Sequence, residues 1–218
     1  MDNKIIINIG RQVCAGGLEI GRLLAKEFQA KYYDRELLNL AAKESGFSEE
    51  FFKQSDERKG FLRSFLHLPY FSNWNGGSNF YQNNFSQESL YKFQSDAIIK
   101  AAQEGSCVFV GRCADYVLRD FPNVVNVFIT ASFEARAQLF MKEKQVSYEE
   151  AVKRIQHVEN RRASYYNYYT GKHWGRADSY DLCIDSSAIG AAETACLIAE
   201  FVKKKLNLSP LTSHHSPL

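Results

Sequence analysis

A glycine-bearing turn near the amino terminus is the first feature of the chain that could do chemistry. It reads GRQVCAGG over residues 10–17 and joins an apolar run at 4–9 to an amphipathic run at 18–30. A strand–turn–helix unit of this kind can hold phosphate through its backbone N–H groups and the helix dipole. In the full motif, GxxxxGK[ST], the lysine reaches the terminal phosphates and the hydroxyl holds Mg²⁺.

The turn keeps the glycine scaffold of this motif and lacks its charged and hydroxyl groups. Counted from Gly16, Gly17 stands at the lysine position, Leu18 and Glu19 follow, and Arg11 stands at the first glycine position. A tight turn that only packs a helix against a strand is the alternative interpretation. As a nucleotide site, the turn predicts contacts from six residues: Arg11, Ala15, Gly16, Gly17, Leu18 and Glu19.

Arginine side chains are the candidates to replace the missing lysine, because phosphoryl transfer needs positive groups that neutralise the moving phosphoryl. Arg11 at the entrance of the loop is the first candidate, and a surface or capping arginine is its alternative. Arg136, on a later predicted helix, is a further candidate clamp. For Arg136 the alternative is a surface pair with acidic residues at helical spacing.

Two carboxylates could serve the same site. Glu19 lies in the first helical turn, where a carboxylate suits the dipole but repels phosphate unless Mg²⁺ lies between them. It is therefore a candidate Mg²⁺ or water ligand, and an exposed surface charge is the alternative. Asp34 follows a short predicted strand at residues 30–34. It could contact the base or ribose of an acceptor or a metal-bound water, or it could cap the next helix.

Apolar runs typical of strands alternate along the chain with amphipathic runs typical of helices. Unbroken apolar runs predict buried strands at residues 4–9, 107–111, 124–130 and 181–186. Helical spacing predicts helices at residues 18–30, 34–43, 87–104, 132–144, 148–166 and 191–206. The predicted fold class is therefore α/β, a three-layer α/β/α sandwich with a central parallel sheet.

Composition resembles that of an ordinary soluble globular protein, with 45% hydrophobic and 24% charged residues among 218. A net charge of +2 argues against a dedicated nucleic-acid-binding protein. No apolar run reaches the roughly 18–20 residues that span a bilayer. Five cysteines without a CxxC pair argue against a disulfide framework or zinc site and predict a cytoplasmic protein.

Aromatic residues are concentrated in two segments. Sixteen of the thirty Phe, Tyr and Trp residues fall within 61–95 and 164–180. The first segment carries only three charged residues and lacks helical periodicity at its centre, so it is interpreted as an insertion or a loop that covers something. The second, SYYNYYTGKHWGRADSY, is interpreted as a lid before the last strand. Its rings could stack a nucleobase, or its tyrosines could pack a helix end onto the core.

Five sequence blocks follow one another along the chain: GRQVCAGGLEIG, YYDREL, VGRCADYVL, FITASFEARA and RASYYNYYTG. The fourth resembles the FxTASxExRA segment of bacterial cytidylate kinases. The others resemble the looser cytidylate kinase-like family, which typically shows SRxxGSGGREIG, YYDxEL, VGRGADYIL and RAxYYxYYTG. The resemblance covers residues 4–205. In the loop this chain departs from the family pattern at Gly10, Cys14, Ala15 and Leu18.

The resemblance implies a fold of the P-loop NTPase or nucleoside monophosphate kinase type, with ATP and Mg²⁺ as cofactors. By the same resemblance Arg112 grips the acceptor's phosphate, with a salt bridge to Asp115 as its alternative. Adjacent helix residues point about 100° apart, so only one of Arg161 and Arg162 closes from the lid, and the resemblance implies Arg162, which matches the family pattern. Asp34, Arg112 and Asp115 form the candidate acceptor-binding set.

The function implied is phosphoryl transfer from ATP to a pyrimidine monophosphate such as CMP or another small acceptor. A catalytically inactive nucleotide-binding sensor or partner domain is the alternative, favoured by the altered loop, and a single-strand nucleic-acid binder is a weaker one. A single domain is expected over residues 1–206, with an acceptor-side insertion near 45–95, a lid near 155–180 and a tail at 207–218. The aromatic insertion could form a homodimer contact, and no membrane partner is expected.

Overall fold

The computed structural model describes residues 4–35, Leu38 and residues 80–208. Several expectations from the sequence lie outside the described residues. These are most of the helix at 34–43, the aromatic segment before residue 80, most of the acceptor-side insertion, and the tail from residue 209 onward.

Five parallel strands form one sheet in the order β2-β3-β1-β4-β5. They are β1 (Ile6–Arg11), β2 (Lys31–Tyr33), β3 (Cys107–Val110), β4 (Val124–Thr130) and β5 (Leu182–Asp185). The four apolar runs and the short run before Asp34 each form one strand, which confirms the parallel sheet predicted from the sequence. Because all strands are parallel, their carboxyl ends meet at one edge, where open α/β sheets bind ligands.

Six α-helices are described: α1 (Gly17–Glu27), α2 (Phe80–Glu104), α3 (Ala114–Val117), α4 (Phe133–Lys144), α5 (Tyr148–Thr170) and α6 (Gly190–Lys205). A short 3₁₀ helix spans Ala177–Ser179. None of the described helices has the length and hydropathy of a bilayer-spanning segment.

Alternation along the strands divides the core into two layers. Ile7 and Ile9 of β1 pack with Leu24 of α1 and Ile198 of α6 on one face. Ile6 points to the other face and packs in a cluster with residues of α2 and α3. Successive strand residues point to opposite faces, so an unbroken apolar run buries both. The three-layer α/β/α sandwich predicted from the sequence is thereby confirmed.

The helix predicted at 148–166 continues four residues further, because α5 ends at Thr170, so the first seven residues of the segment 164–180 are helical. The interpretation of this segment as a lid stays a prediction. Gly171 ends the helix with φ +67°, and its N–H donates to the carbonyl of Asn167. A glycine in the left-handed conformation is a common helix terminator. Helix α2 also begins at Phe80, seven residues before the predicted start at 87.

One polar pair lies within the sheet. Asn8 of β1 stands directly opposite Asn126 of β4, and its Nδ2 donates to the Asn126 side-chain oxygen at 2.9 Å. Asn8 is 3% exposed, and within the described part of the chain its own side-chain oxygen has no partner. The backbone N–H of Asn126 donates to Asp181 at 2.8 Å.

Candidate active site

The glycine turn lies at the carboxyl edge of the sheet and is attached to its neighbours on both sides. The N–H of Gln12 donates to the carbonyl of Ile129 at 3.0 Å, and its side-chain oxygen accepts from Ala131. The Ser186 hydroxyl lies 2.9 Å from the carbonyl of Ala15 and 3.0 Å from that of Thr130. These bonds join the loop to the ends of β4 and β5, so its backbone is held in place before any ligand arrives.

The side chain of Arg11 crosses the first turn of α1. A Cβ placed on Gly17 would lie 2.7 Å from both Cβ and Cγ of Arg11 and 3.5 Å from its Cδ. The guanidinium then lies against Gly111, just beyond β3, where a Cβ would overlap its Nη1. Arg11 is therefore partly buried and runs from the loop entrance to the end of β3, and its role at the loop stays a prediction.

A buried ion pair reaches the loop from the two helices behind it. Arg136 of α4 donates through Nη1 to Oε1 of Glu159 on α5 at 2.6 Å, and their side chains are 5% and 16% exposed. The N–H of Val13 donates to the same carboxylate oxygen at 3.1 Å. The Nε of Arg136 donates to the carbonyl of Ala131. The surface pair at helical spacing offered as the alternative for Arg136 is therefore wrong, and its role as a clamp stays a prediction.

Arg162 lies one turn beyond Glu159 on the same helix and also reaches the loop. Its Nη1 donates to the backbone carbonyl of Arg11 at 3.0 Å, whereas Arg161 is exposed. Of the two adjacent arginines, the one chosen from the sequence contacts the glycine turn.

Arg112 follows Gly111 at the end of β3 and contacts helix α5. Its guanidinium lies 5.5 Å from the ring centre of Tyr165, in cation–π geometry. The Tyr165 hydroxyl lies 3.4 Å from the side-chain oxygen of Gln94, which is 1% exposed. Arg112 itself has φ +61°, so the backbone leaves β3 through a left-handed turn. Arg112 is thus held between the sheet edge and α5.

Asp115 does not pair with Arg112 in the described part of the chain. It is 8% exposed, and its Oδ2 accepts a hydrogen bond of 2.6 Å from the Tyr166 hydroxyl of α5. Burial raises the pKa of Asp115, an effect that the Tyr166 bond opposes. The salt bridge offered as the alternative for Arg112 is therefore wrong. Acceptor binding by Asp115 remains a prediction.

The Asp115–Tyr166 bond gives a pH-dependent prediction. Because the folded pKa of Asp115 is raised, its contribution to stability is present below the ordinary pKa of 3.8 and is lost as the pH rises through the folded value. Tyr166→Phe removes a donor to the ionised form and raises that pKa further. We expect a loss of about 2 kcal/mol in unfolding free energy at pH 7 and a clearly smaller loss at pH 4.

Urea unfolding at the two pH values measures this difference. Tyr168→Phe is the matched control, because its hydroxyl also donates to a carboxylate, that of Glu88, but Tyr168 is 68% exposed and the loss of free energy should be small at both pH values. An equal loss for Tyr166→Phe at both pH values would show that the Asp115 charge does not govern the bond.

The sequence allows two interpretations of the tyrosines of α5, namely stacking on a nucleobase and packing of the helix end onto the core. Tyr166 is 5% exposed and packs against Tyr180, so it belongs to the core. Tyr169 stacks on Tyr91 of α2 with centroids 3.9 Å apart, while Tyr168 faces solvent. Packing of the helix end therefore accounts for at least Tyr166 and Tyr169.

The carboxylates predicted for Mg²⁺ and acceptor binding lie on different elements, one in helix α1 and one at the end of strand β2. Glu19 is exposed in the first turn of α1, next to Leu18, which is 44% exposed at the hydroxyl position. Asp34 directly follows β2, and its carbonyl accepts from the N–H of Leu38. Within residues 4–35, Leu38 and 80–208 no three His, Cys, Asp or Glu side chains form a metal-binding group.

Mg²⁺ fits this site only as an ion carried largely by the nucleotide. It is commonly bound through one or two carboxylates together with substrate phosphates and water. Glu19 is the carboxylate in the first turn of the loop helix, and Leu18 offers no oxygen at the position that normally supplies one.

The sequence indicated Glu159 only as the residue at the acidic lid position of the family resemblance, where Asp is more usual, and it indicated no role for Ser186. Glu159 lies 23 residues from Arg136 and 146 from Val13, so no local spacing connects them. The signal present in the sequence was a charged residue three positions before Arg162 on a predicted helix, which places both side chains on one helix face.

Comparison with protein families gives one match that spans most of the chain. A model described as the cytidylate kinase-like family matches residues 6–188. A search of curated proteins returns no match.

Solved structures share the fold at low sequence identity. An uncharacterized protein from Eubacterium ventriosum is 24% identical, with a TM-score of 0.69 over 92% of this chain and 99% of that one. TT1252 from Thermus thermophilus is 15% identical, with a TM-score of 0.53 over 92% and 97%. Shikimate kinase from Bacteroides thetaiotaomicron is 11% identical, with a TM-score of 0.51 over 94% and 99%. The chain therefore shares the α/β fold of these structures.

Proposed function

The chain belongs to the cytidylate kinase-like family, and on this premise we propose that it transfers the γ-phosphoryl group of ATP to a pyrimidine nucleoside monophosphate such as CMP. The observation that carries the proposal is the position of three arginines near the carboxyl edge of the sheet. Arg11 lies against Gly111, which adjoins Arg112, and Arg162 donates to the carbonyl of Arg11. They come from β1, the end of β3 and α5.

Three positive charges around a phosphate-binding turn suit phosphoryl transfer, because that reaction depends mainly on positioning and on neutralising charge at the moving group. Arg11 and Arg162 lie beside the loop and would neutralise the nucleotide phosphates. Arg112 would hold the phosphate of the acceptor. The loop itself would bind the nucleotide through Ala15 to Glu19, since its bonds to β4 and β5 hold its backbone in place.

In the proposed reaction an oxygen of the acceptor's phosphate attacks the γ-phosphorus, and the bond from that phosphorus to the β–γ bridging oxygen breaks. ADP leaves with this oxygen, and the acceptor becomes a diphosphate. Mg²⁺ carried by the nucleotide would neutralise part of the phosphate charge, with Glu19 as the candidate carboxylate near it. Asp34, at the end of β2, would contact the base or ribose of the acceptor.

The buried groups would act through the residues they hold. Asp115 accepts from Tyr166, and Arg136 pairs with the carboxylate that accepts from the Val13 N–H. Both contacts join α5 to the edge of the sheet. We propose that Asp115 and Arg136 support the site by fixing this helix, in addition to any direct contact that the sequence predicts for them.

A nucleotide-binding sensor without catalysis is the second candidate. Gly17 at the lysine position and Leu18 at the hydroxyl position favour it, because these residues normally supply a phosphate contact and a Mg²⁺ ligand. A sensor would bind ATP and release no ADP with any acceptor.

A coupled ADP-release assay tests the proposed reaction. Purified protein with Mg·ATP is presented with CMP, UMP, dCMP, AMP, cytidine and shikimate in parallel. We expect ADP release with a pyrimidine monophosphate and a loss of at least about 100-fold in kcat/KM for Arg112→Ala. The control is Arg119→Ala, which removes a half-exposed arginine that bonds to a carbonyl of α3.

The two candidate functions then separate cleanly. No ADP release with any acceptor, together with ATP binding in calorimetry, would replace the kinase by the sensor. Equal losses for Arg112→Ala and Arg119→Ala would remove Arg112 from the acceptor site.

A further inference from the structure

We infer that Arg11 and Gly17 have exchanged the roles of two positions in the phosphate-binding motif, so that Arg11 supplies the cation normally given by the lysine of GxxxxGK. This inference rests on the proposed function, because it names the group that neutralises the terminal phosphates of the bound nucleotide. The exchange makes the loop a rearranged form of the motif rather than an incomplete one.

The first step is positional. The motif GxxxxGK is seven residues long and has a glycine at its first position and a lysine at its seventh. In residues 11–17 the cation stands first and glycine stands seventh. The residue types at the two ends of the loop are therefore interchanged, while Gly16 between them is kept and adopts φ +71°.

The second step is steric. The stem of Arg11 fills the space in which a side chain at position 17 would begin, since a Cβ there would lie 2.7 Å from Arg11 Cβ and Cγ. Real side chains do not approach this closely, so a lysine at 17 and an arginine at 11 are mutually exclusive in this loop. The glycine at 17 is what lets Arg11 pass over the start of the helix.

The third step concerns the position of the Arg11 guanidinium. The guanidinium lies against Gly111, at the end of β3, and a Cβ at Gly111 would overlap its Nη1. Its five N–H donors therefore lie at the carboxyl edge of the sheet beside the loop, next to Arg112 on the acceptor side. A cation in this place can contact the terminal phosphates between nucleotide and acceptor.

A double-mutant cycle measured by thermal unfolding tests the steric part of the exchange, and it needs no ligand. Gly17→Lys alone should lower the Tm by about 5 °C, because the new side chain overlaps the stem of Arg11. Arg11→Gly combined with Gly17→Lys restores the usual motif and should regain most of this loss. Additive effects of the two substitutions would overturn the inferred contact.

Nucleotide affinity tests the exchange of charge. Arg11→Met keeps an unbranched stem and removes the cation, and should weaken ATP binding by about 10- to 100-fold in calorimetry, as expected for a charge-assisted hydrogen bond. AMP binding should change by less than about 3-fold, because the lysine position serves the terminal phosphates. The double variant should bind ATP within about 10-fold of the parent protein.

Lys26→Ala is the control, because it removes one positive charge from the exposed far end of the same helix and should leave ATP affinity unchanged. Arg11→Met with parental ATP affinity, or a folded double variant that does not recover binding, overturns the inference. A parent protein that binds ATP without turnover refutes the proposed kinase, while the variants still decide the exchange. A parent protein that binds no nucleotide overturns both.

Discussion

Arg136→Met is expected to lower the free energy of unfolding by about 3 kcal/mol, because it leaves the carboxylate of Glu159 without its cation in a largely buried position. Arg136 is 4% exposed, and its guanidinium bonds both to Glu159 and to the carbonyl of Ala131. Methionine keeps part of the packing volume and can replace neither bond. Urea unfolding midpoints, with the slope checked for two-state behaviour, measure the change.

The matched control is Arg176→Met. Arg176 pairs with Asp178 at 2.6 Å, but both side chains are more than 60% exposed. An exposed pair contributes at most about 1 kcal/mol and is weakened by salt. If Arg136→Met and Arg176→Met lower the free energy of unfolding equally, the Arg136–Glu159 pair is not effectively buried. Glu159→Gln is a second variant for the same experiment. Its amide oxygen can still accept from the N–H of Val13, whereas the negative charge is removed.

Gly111→Ala is expected to reduce kcat/KM by about 100-fold, an effect on the scale of losing one preorganised charge contact. A Cβ at this position would occupy the place of the Arg11 Nη1, so the guanidinium must move away from the end of β3. The ADP-release assay described for the proposed function measures the loss, with circular dichroism to verify that the variant is folded.

Gly171→Ala separates this displacement from backbone strain. Gly171 has φ +67° and Gly111 has φ +84°, so alanine is strained at both positions, but a Cβ at Gly171 would meet nothing within 4 Å. The two variants should lose similar stability, about 1–2 kcal/mol for an L-residue in this region. Only Gly111→Ala should show the loss of about 100-fold in kcat/KM. Comparable activity in the two variants would contradict a site that depends on Arg11.

The sheet could be predicted from the sequence because each strand is a local pattern. Residues 4–9 and 124–130 are apolar runs buried on both faces, and such runs form strands wherever their neighbours lie. The short helix α3 was missed because four residues carry too little periodicity to indicate a helix. The extension of α5 to Thr170 was missed because tyrosines favour helices only weakly, and here their packing outweighs that preference.

The site was predictable only in part. Arg11, Arg112 and Arg162 could be selected because each lies in a motif or beside one. Arg162 donates to the carbonyl of Arg11, and Arg11 lies against Gly111, which precedes Arg112. Their roles stay predictions. The pair of Arg136 with Glu159 could not be predicted, because its residues meet only when α4 packs against α5. The arrangement of Arg11 over Gly17 was visible in the sequence as two interchanged residue types, but its meaning required the distance between them.

The Asn8–Asn126 pair determines which residues of β1 and β4 can stand side by side. A slip of these strands by two residues would keep every side chain on its own face, so apolar contacts alone discriminate against it weakly. It would also place both amides opposite apolar partners, at about 1–3 kcal/mol for each unsatisfied group. The same slip would carry the carbonyl of Ile129 about 7 Å from the N–H of Gln12. Two amides in the sheet, that of Asn8 buried and that of Asn126 partly buried, thus set the alignment that brings the glycine turn level with the end of β4.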